Sequence, residues 1–273
     1  MQAAPVLTPM QRSHGRATAS FATRLGQTRL ADLAQQGSAK AMLPRVAGAV
    51  PEVVFLNTSG GLTDGDSLFY GLTLGEACHV SATTQTAERV YASRGGAAQA
   101  AVQMQVGAGG RLDWLPQETI LFEDSHLARS TQIDLAEDAS CLLCESVVLG
   151  RHAMGETLQR AQLTDARMVR RSGRPVWAET LRLDADVLAD RSAALLGPAR
   201  AFAVIALVAQ GAEDAVGPLR AALGHPGVTA AASGWNGKCV ARILARDGWP
   251  LKQQIAQALA VLRHGPLPRV WQM

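Results

Sequence analysis

Lysine is nearly missing from this chain: Lys40, Lys238 and Lys252 are the only ones, and the basic set is otherwise arginine. With 26 basic and 23 acidic residues the formal charge is only +3, and acids interleave with the arginines. No long basic run or basic-aromatic alternation is left to form a nucleic-acid groove, so nucleic acid is not an expected partner. Long apolar runs are missing too. The longest, Ala201 to Ala209 (AFAVIALVA), is far too short to span a bilayer, and the opening MQAAPVLTPMQRSHGR has no apolar segment of signal-peptide length. The expectation is a cytoplasmic protein without a membrane partner. Four cysteines, Cys78, Cys141, Cys144 and Cys239, are too few and too scattered for a disulfide framework, which points to reduced thiols.

The usual catalytic signatures are also absent. The stretch SGGLTDGDSLFY, Ser59 to Tyr70, is rich in glycine, yet no Gly-Lys-Ser/Thr follows to cradle a phosphate, and the residues after it look extended. An EF-hand begun at Asp64 would place Leu68 and Gly75 where oxygen ligands are required. What remains is a tight bend in which Asp66 either caps the backbone or offers its carboxylate to something nearby. Cys141-Leu142-Leu143-Cys144 has redox or zinc spacing, but it sits inside a strand-like run that points the two thiols to opposite faces. The six histidines show no HExxH pattern, and no GxSxG elbow exists.

What is present, at 48% apolar residues, is enough hydrophobic material for one large domain or two small ones. From about Phe55 to Leu183 the dominant period is two. Val102, Met104 and Val106 alternate with glutamines, and similar runs occur at His79 to Thr86, Gln132 to Leu135 and Ser140 to Val148. Ser172-Gly173 lies between two extended runs and reads as a hairpin turn with glycine supplying a positive φ. The class is mainly β, with β-rich sequence over residues 20–200 and no fixed repeat length. Residues 201–273 change character: a strand at Ala201 to Val208, a helix over Glu213 to Leu223, two strands around Trp235-Asn236-Gly237, and a helix over Leu251 to Leu262. That is a small α+β part with about two helices, packed on the β region or continuous with it.

Glu145 in CLLCESVVLG and Glu179 in VWAETLRL are acids inside strands. Such residues are expected on a solvated face; if buried, they need partners or a cation, because uncompensated charge is costly.

Six segments then carry a resemblance. NTSGGLTDGD, TTQTAERVYAS, LDWLPQETILF, LGRHAMGE, RSGRPVWAETLRL, and CVARILARD with a terminal LPRVW resemble, in order and spacing, the urease accessory protein family UreD, called UreH in some organisms. The resemblance implies a single domain over 1–273 of stacked strands, in a β-helix-like or β-sandwich-like arrangement. It also implies a non-enzymatic maturation factor that binds apo-urease and recruits UreF, which carries the GTPase UreG. A homodimer within such a complex follows from the same likeness. No tightly bound cofactor is implied, only nickel in transit; a passage that hands metal on suits separated oxygen ligands better than a closed cage. By motif, the nickel-passage candidates are Asp66, Glu88, Glu145 and Glu179. Many members carry Gly-Gly-Asp where this chain has Asp64-Gly65-Asp66, which leaves open whether Asp64 or Asp66 faces inward. The first fifty residues resemble the family weakly beyond Gly26 to Leu30. The alternative reading is a metal-dependent hydrolase on an all-β frame using Glu118, Glu145 and His152.

Overall fold

A computed structural model of the chain describes residues 11–45, 48, 50–151, 154–263 and 265–272. The opening ten residues, His152 and His264 lie outside them. A seven-stranded sheet holds β1 (His14–Arg24), β2 (Gln27–Gly37), β5 (Ser67–Leu74), β8 (Ala98–Val106), β11 (His126–Leu135), β13 (Gln162–Arg171) and β14 (Arg174–Leu183), in the order β14-β13-β11-β8-β5-β1-β2. The second, ten-stranded sheet runs β16 (Val228–Gly234), β17 (Lys238–Ala245), β15 (Ala201–Val208), β12 (Ser140–Leu149), β9 (Arg111–Trp114), β6 (His79–Thr84), β4 (Glu52–Asn57) and β3 (Ala39–Met42). Two short strands, β7 (Glu88–Val90) and β10 (Thr119–Leu121), join it beside β12.

From β5 to β13 the chain alternates between the sheets, laying one strand in the first and one or two in the second on every circuit. Neighbours β1, β5, β8, β11 and β13 are therefore parallel, as are β4, β6, β9 and β12. The fold is mainly β, as the period-two reading implied, and solenoid-like with stacked strands, as the family resemblance implied. The stacking sets its core. Leu72, Met104, Ile133 and Val169 stand side by side across four parallel strands, all buried between the sheets, while Gln103 and Gln105 face solvent. Phe55 stacks on Tyr70 at 4.7 Å and meets Trp114 edge-on at 6.2 Å, bridging the two sheets.

Some sequence expectations shift. The β region starts at His14, not near residue 20, because β1 is paired on both sides and takes its place inside the first sheet. In the β13–β14 turn Ser172 as well as Gly173 has positive φ, 48° and 77°. There are three α-helices among the described residues: α1 (Ala185–Ala189), α2 (Val216–Ala222) and α3 (Gly248–Leu262). The extra one, α1, is a single turn too short to show a period; Asp184 caps it by accepting from Val187 N at 3.0 Å. The helical run at Glu213 begins as a 3₁₀ turn, Ala212–Ala215, before α2.

The C-terminal part is continuous with the β region, since β12 pairs with β15 and β15 with β17. α2 and α3 cover the outer face of that sheet over a second core containing Cys144, Ile205, Ile243, Leu251, Ile255, Leu259 and Trp271. Strand β12 is thus apolar on both faces, and its cysteines divide as the alternation requires: Cys141 in the core between the sheets, Cys144 in the core under the helices.

Candidate functional site: an interior cavity and its two carboxylates

The glycine loop is a bend, and its aspartates are consumed in making it. Asp66 accepts from Ser13 N at 2.7 Å through one carboxylate oxygen and from Thr63 N at 2.9 Å through the other. Asp64 pairs with Arg12 at 3.0 Å. Both acids are buried. At Gly61 (φ 149°) any Cβ would fall 2.4 Å from the Tyr91 ring and 2.7 Å from Arg89 O, so glycine alone lets the loop lie against the chain leaving β7. Leu62 N and Tyr91 N complete that seam by bonding to Arg89 O and Leu62 O.

Behind the loop, between the sheets, is a cavity of about 50 Å³. Its walls include Tyr70, Trp114, Gln117 and Arg129, and two of the four candidate acids, Glu88 and Glu145. Asp66 and Glu179 are not on its wall. Glu145 corrects the expectation of a solvated acid: both faces of β12 are covered, so its side chain is 1% exposed. Its Oε1 accepts from Thr131 Oγ1 at 2.6 Å and Trp114 Nε1 at 3.2 Å, and its Oε2 from Arg167 Nε at 2.7 Å. Arg167 also bonds Asp165, which takes a two-pronged contact from Arg129 at 2.9 and 2.7 Å. Two arginines and two carboxylates thus balance inside the core, across β11, β12 and β13. Burial pushes the Glu145 carboxyl up, but Arg129 and Arg167 more than reverse this and hold it well below the usual range. Glu179, directly across the β13–β14 ladder from Arg167, ties this cluster to the surface: it accepts from Arg167 Nη1 at 3.4 Å and pairs with Arg242.

Glu88 is held quite differently. Among the described residues, the one hydrogen bond its carboxylate receives is from Asn57 Nδ2, at 3.1 Å to Oε1; the same amide reaches Gly61 O at 3.4 Å. Burial therefore dominates and raises its pKa to about 7, against smaller opposing pulls from the Asn57 bond and Arg89. Tyr70 is pushed upward too, by burial and then by Glu88. Among the described residues, Glu88 has the one carboxylate on this wall with an oxygen that accepts no hydrogen bond. No group of three His, Cys, Asp or Glu converges to hold a metal ion among the described residues.

The remaining candidates gain no chemistry. All four cysteines are free and buried, and burial raises Cys141 to about 12 and Cys144 further, the reverse of a reactive thiolate. The hydrolase reading needs Glu145, whose oxygens are engaged, and His152, which lies outside the described residues. The sequence reading missed Arg129, Asp165 and Arg167. The signal for Asp165 and Arg167 was there: they share strand parity with Leu163 and Val169 and so belong to the inward face of β13.

Comparison with known proteins fits this architecture. The family model described as UreD urease accessory protein matches residues 13–272. A urease accessory protein UreD from Cereibacter sphaeroides is 60% identical over 271 residues, covering 97% of this chain and 98% of that one. The UreD of Paracoccus denitrificans is 52% identical, covering 97% and 94%, and that of Rhizobium etli 40%, covering 97% of each. With a family model spanning both sheets and the helical part, and relatives alike over nearly their whole lengths, the chain belongs to the UreD family of urease accessory proteins.

Proposed function

We propose that this chain is a urease maturation factor that works as a scaffold and not as a catalyst: it binds apo-urease, recruits UreF and through it the GTPase UreG, and lets nickel pass along its interior. Family membership over residues 13–272 is the observation that carries this reading. The interior supports it. A divalent cation in transit needs oxygen ligands that release it again, and a lone carboxylate on a narrow cavity binds weakly where a cage would trap. Glu88 is suited to that role, whereas Glu145 is committed to Arg167 and serves as a wall. Asp66 and Glu179 support the passage from outside, the first by fixing the glycine loop and the second by anchoring Arg167. Nickel is cargo here, the site of action is the cytoplasm, and the working form is a complex that includes a homodimer.

The experiment is co-purification. The tagged chain, expressed beside its urease subunits and UreF, should bring both down. A chain that stays alone and monomeric with those partners present overturns the scaffold reading.

A further inference from the structure

The two sheets stop at different points. At one end of the molecule the first sheet closes with β14, which pairs with β13 alone, while the second runs on through β17 to β16. Arg242 of β17 pairs with Glu179 of β14, so β17 is the strand opposite β14, and β16 projects one strand further. The inward residues of β16 show the consequence. Thr229, Ala231 and Ser233 stand across the ladder from Leu244, Arg242 and Val240, on the face toward the first sheet, and all three are exposed. Ala230 and Ala232, of the other parity, pack under the helices. Beside β14 there is therefore a slot one strand wide, floored by small side chains.

The edge of β14 that borders this slot is open to pairing. Pro175 and the bulge beside it close the first residues, which leaves residues 177–183 as a regular stretch with a strand partner on one side only. The rim is basic. Arg174, Arg182 and Arg246 are exposed and take part in no ion pair among the described residues, and the Arg242 side chain is half-exposed despite its bond to Glu179. The acids nearby are mostly engaged: Glu179 lies between Arg167 and Arg242, Asp184 accepts from Val187 N, and Asp190 accepts from Ser192 N. At the Thr229 end the slot opens into a cavity of about 550 Å³, walled in part by Leu196, Pro198 and Leu244.

We propose that this slot is a docking site for an extended, acidic segment of a partner protein, which adds to β14 as a further strand of the first sheet and lies over β16. The free backbone groups of β14 supply the pairing. Thr229, Ala231 and Ser233 leave room for the inward side chains of the added strand, and its carboxylates reach Arg242 on the inner face and Arg182 on the outer. In a symmetric pairing a second copy of this chain would bring the same arginines back to the slot, so charge favours a different, acidic chain. The proposal extends the scaffold reading by giving one partner a chemistry and a place, but it does not depend on that reading.

The probe is a short fluorescein-labelled peptide of alternating glutamate and valine, added to the full-length chain. Two controls accompany it: lysine in place of glutamate, and proline at the centre, which cannot sit within a ladder. The chain should bind the acidic peptide at least about tenfold tighter than either control. Amide exchange in residues 177–183 should slow at least about fivefold in the bound state, because the outward amides of that stretch gain acceptors. Ala231→Trp, which fills the floor from an exposed position, and Arg182→Glu should each weaken binding at least about fivefold while keeping native circular dichroism. Absent binding, equal binding of the acidic peptide and either control, protection confined to residues 228–234, or native affinity in Ala231→Trp overturns the proposal. Such a failure leaves the scaffold reading to the co-purification with urease and UreF, which neither readout here involves.

Discussion

Glu145 and Glu88 face the same cavity and are held in opposite ways. Glu145 receives three hydrogen bonds and has two arginines behind it; Glu88 receives one, from an amide. Burying a carboxyl is costly for both, and the cost is met either by pairing the charge or by keeping the proton. The first outcome gives a rigid wall. The second leaves a group that changes charge near neutrality, with an oxygen free for a ligand. One cavity thus contains a structural acid and a responsive one, told apart by what surrounds them.

The largest effect should come from removing a partner on the Glu145 side. Arg167→Ala strands Glu145 and Asp165 in the core and should cost about 3–5 kcal/mol in urea unfolding; a loss below about 1 kcal/mol would mean the cluster is not the anchor described. Asp66→Ala frees the amides of Ser13 and Thr63 and should cost about 2–3 kcal/mol. The responsive acid should act with the opposite sign. Between pH about 4.5 and about 7 the unfolded chain has lost the Glu88 proton while the folded chain keeps it, so stability falls as pH rises through that window. Glu88→Gln removes the penalty and should raise stability at pH 8 by about 2 kcal/mol, with the slope between pH 5 and 7 flattened. An unaltered slope would place the titration elsewhere. Glu145 contributes in the other direction, its stabilisation being lost as pH drops below the ordinary carboxylate range. Smallest of all, Glu179→Gln should cost less than about 1 kcal/mol, because its partner Arg242 is 59% exposed and solvent screens the pair.

Much of the fold was legible. Val102, Met104 and Val106 alternate with glutamines because the first sheet has one wet face, and that pattern survives intact in β8. What was not legible is the stacking itself. Parallel neighbours come from successive circuits of unequal length, so no period marks them. Burial of Glu145 could have been inferred, since β12 is apolar at both parities and an acid within it has no wet side to choose. Glu88 could not: β7 is three residues long, and its carboxyl is defined by Asn57, thirty-one positions away. Asp66 reads from sequence either as a cap or as a carboxylate offered to something nearby, and in the structure the backbone amides of Ser13 and Thr63 take it.

The central claim is that Glu88, the carboxylate on the cavity that is not paired with an arginine, serves nickel delivery to urease. Nickel content of urease matured with the Glu88→Gln chain tests this most directly, measured beside Asp66→Asn and native chains that co-purify equally with UreF and urease. The account predicts several-fold less nickel for Glu88→Gln alone. Native nickel content in urease matured through that variant, with the complex intact, would contradict it.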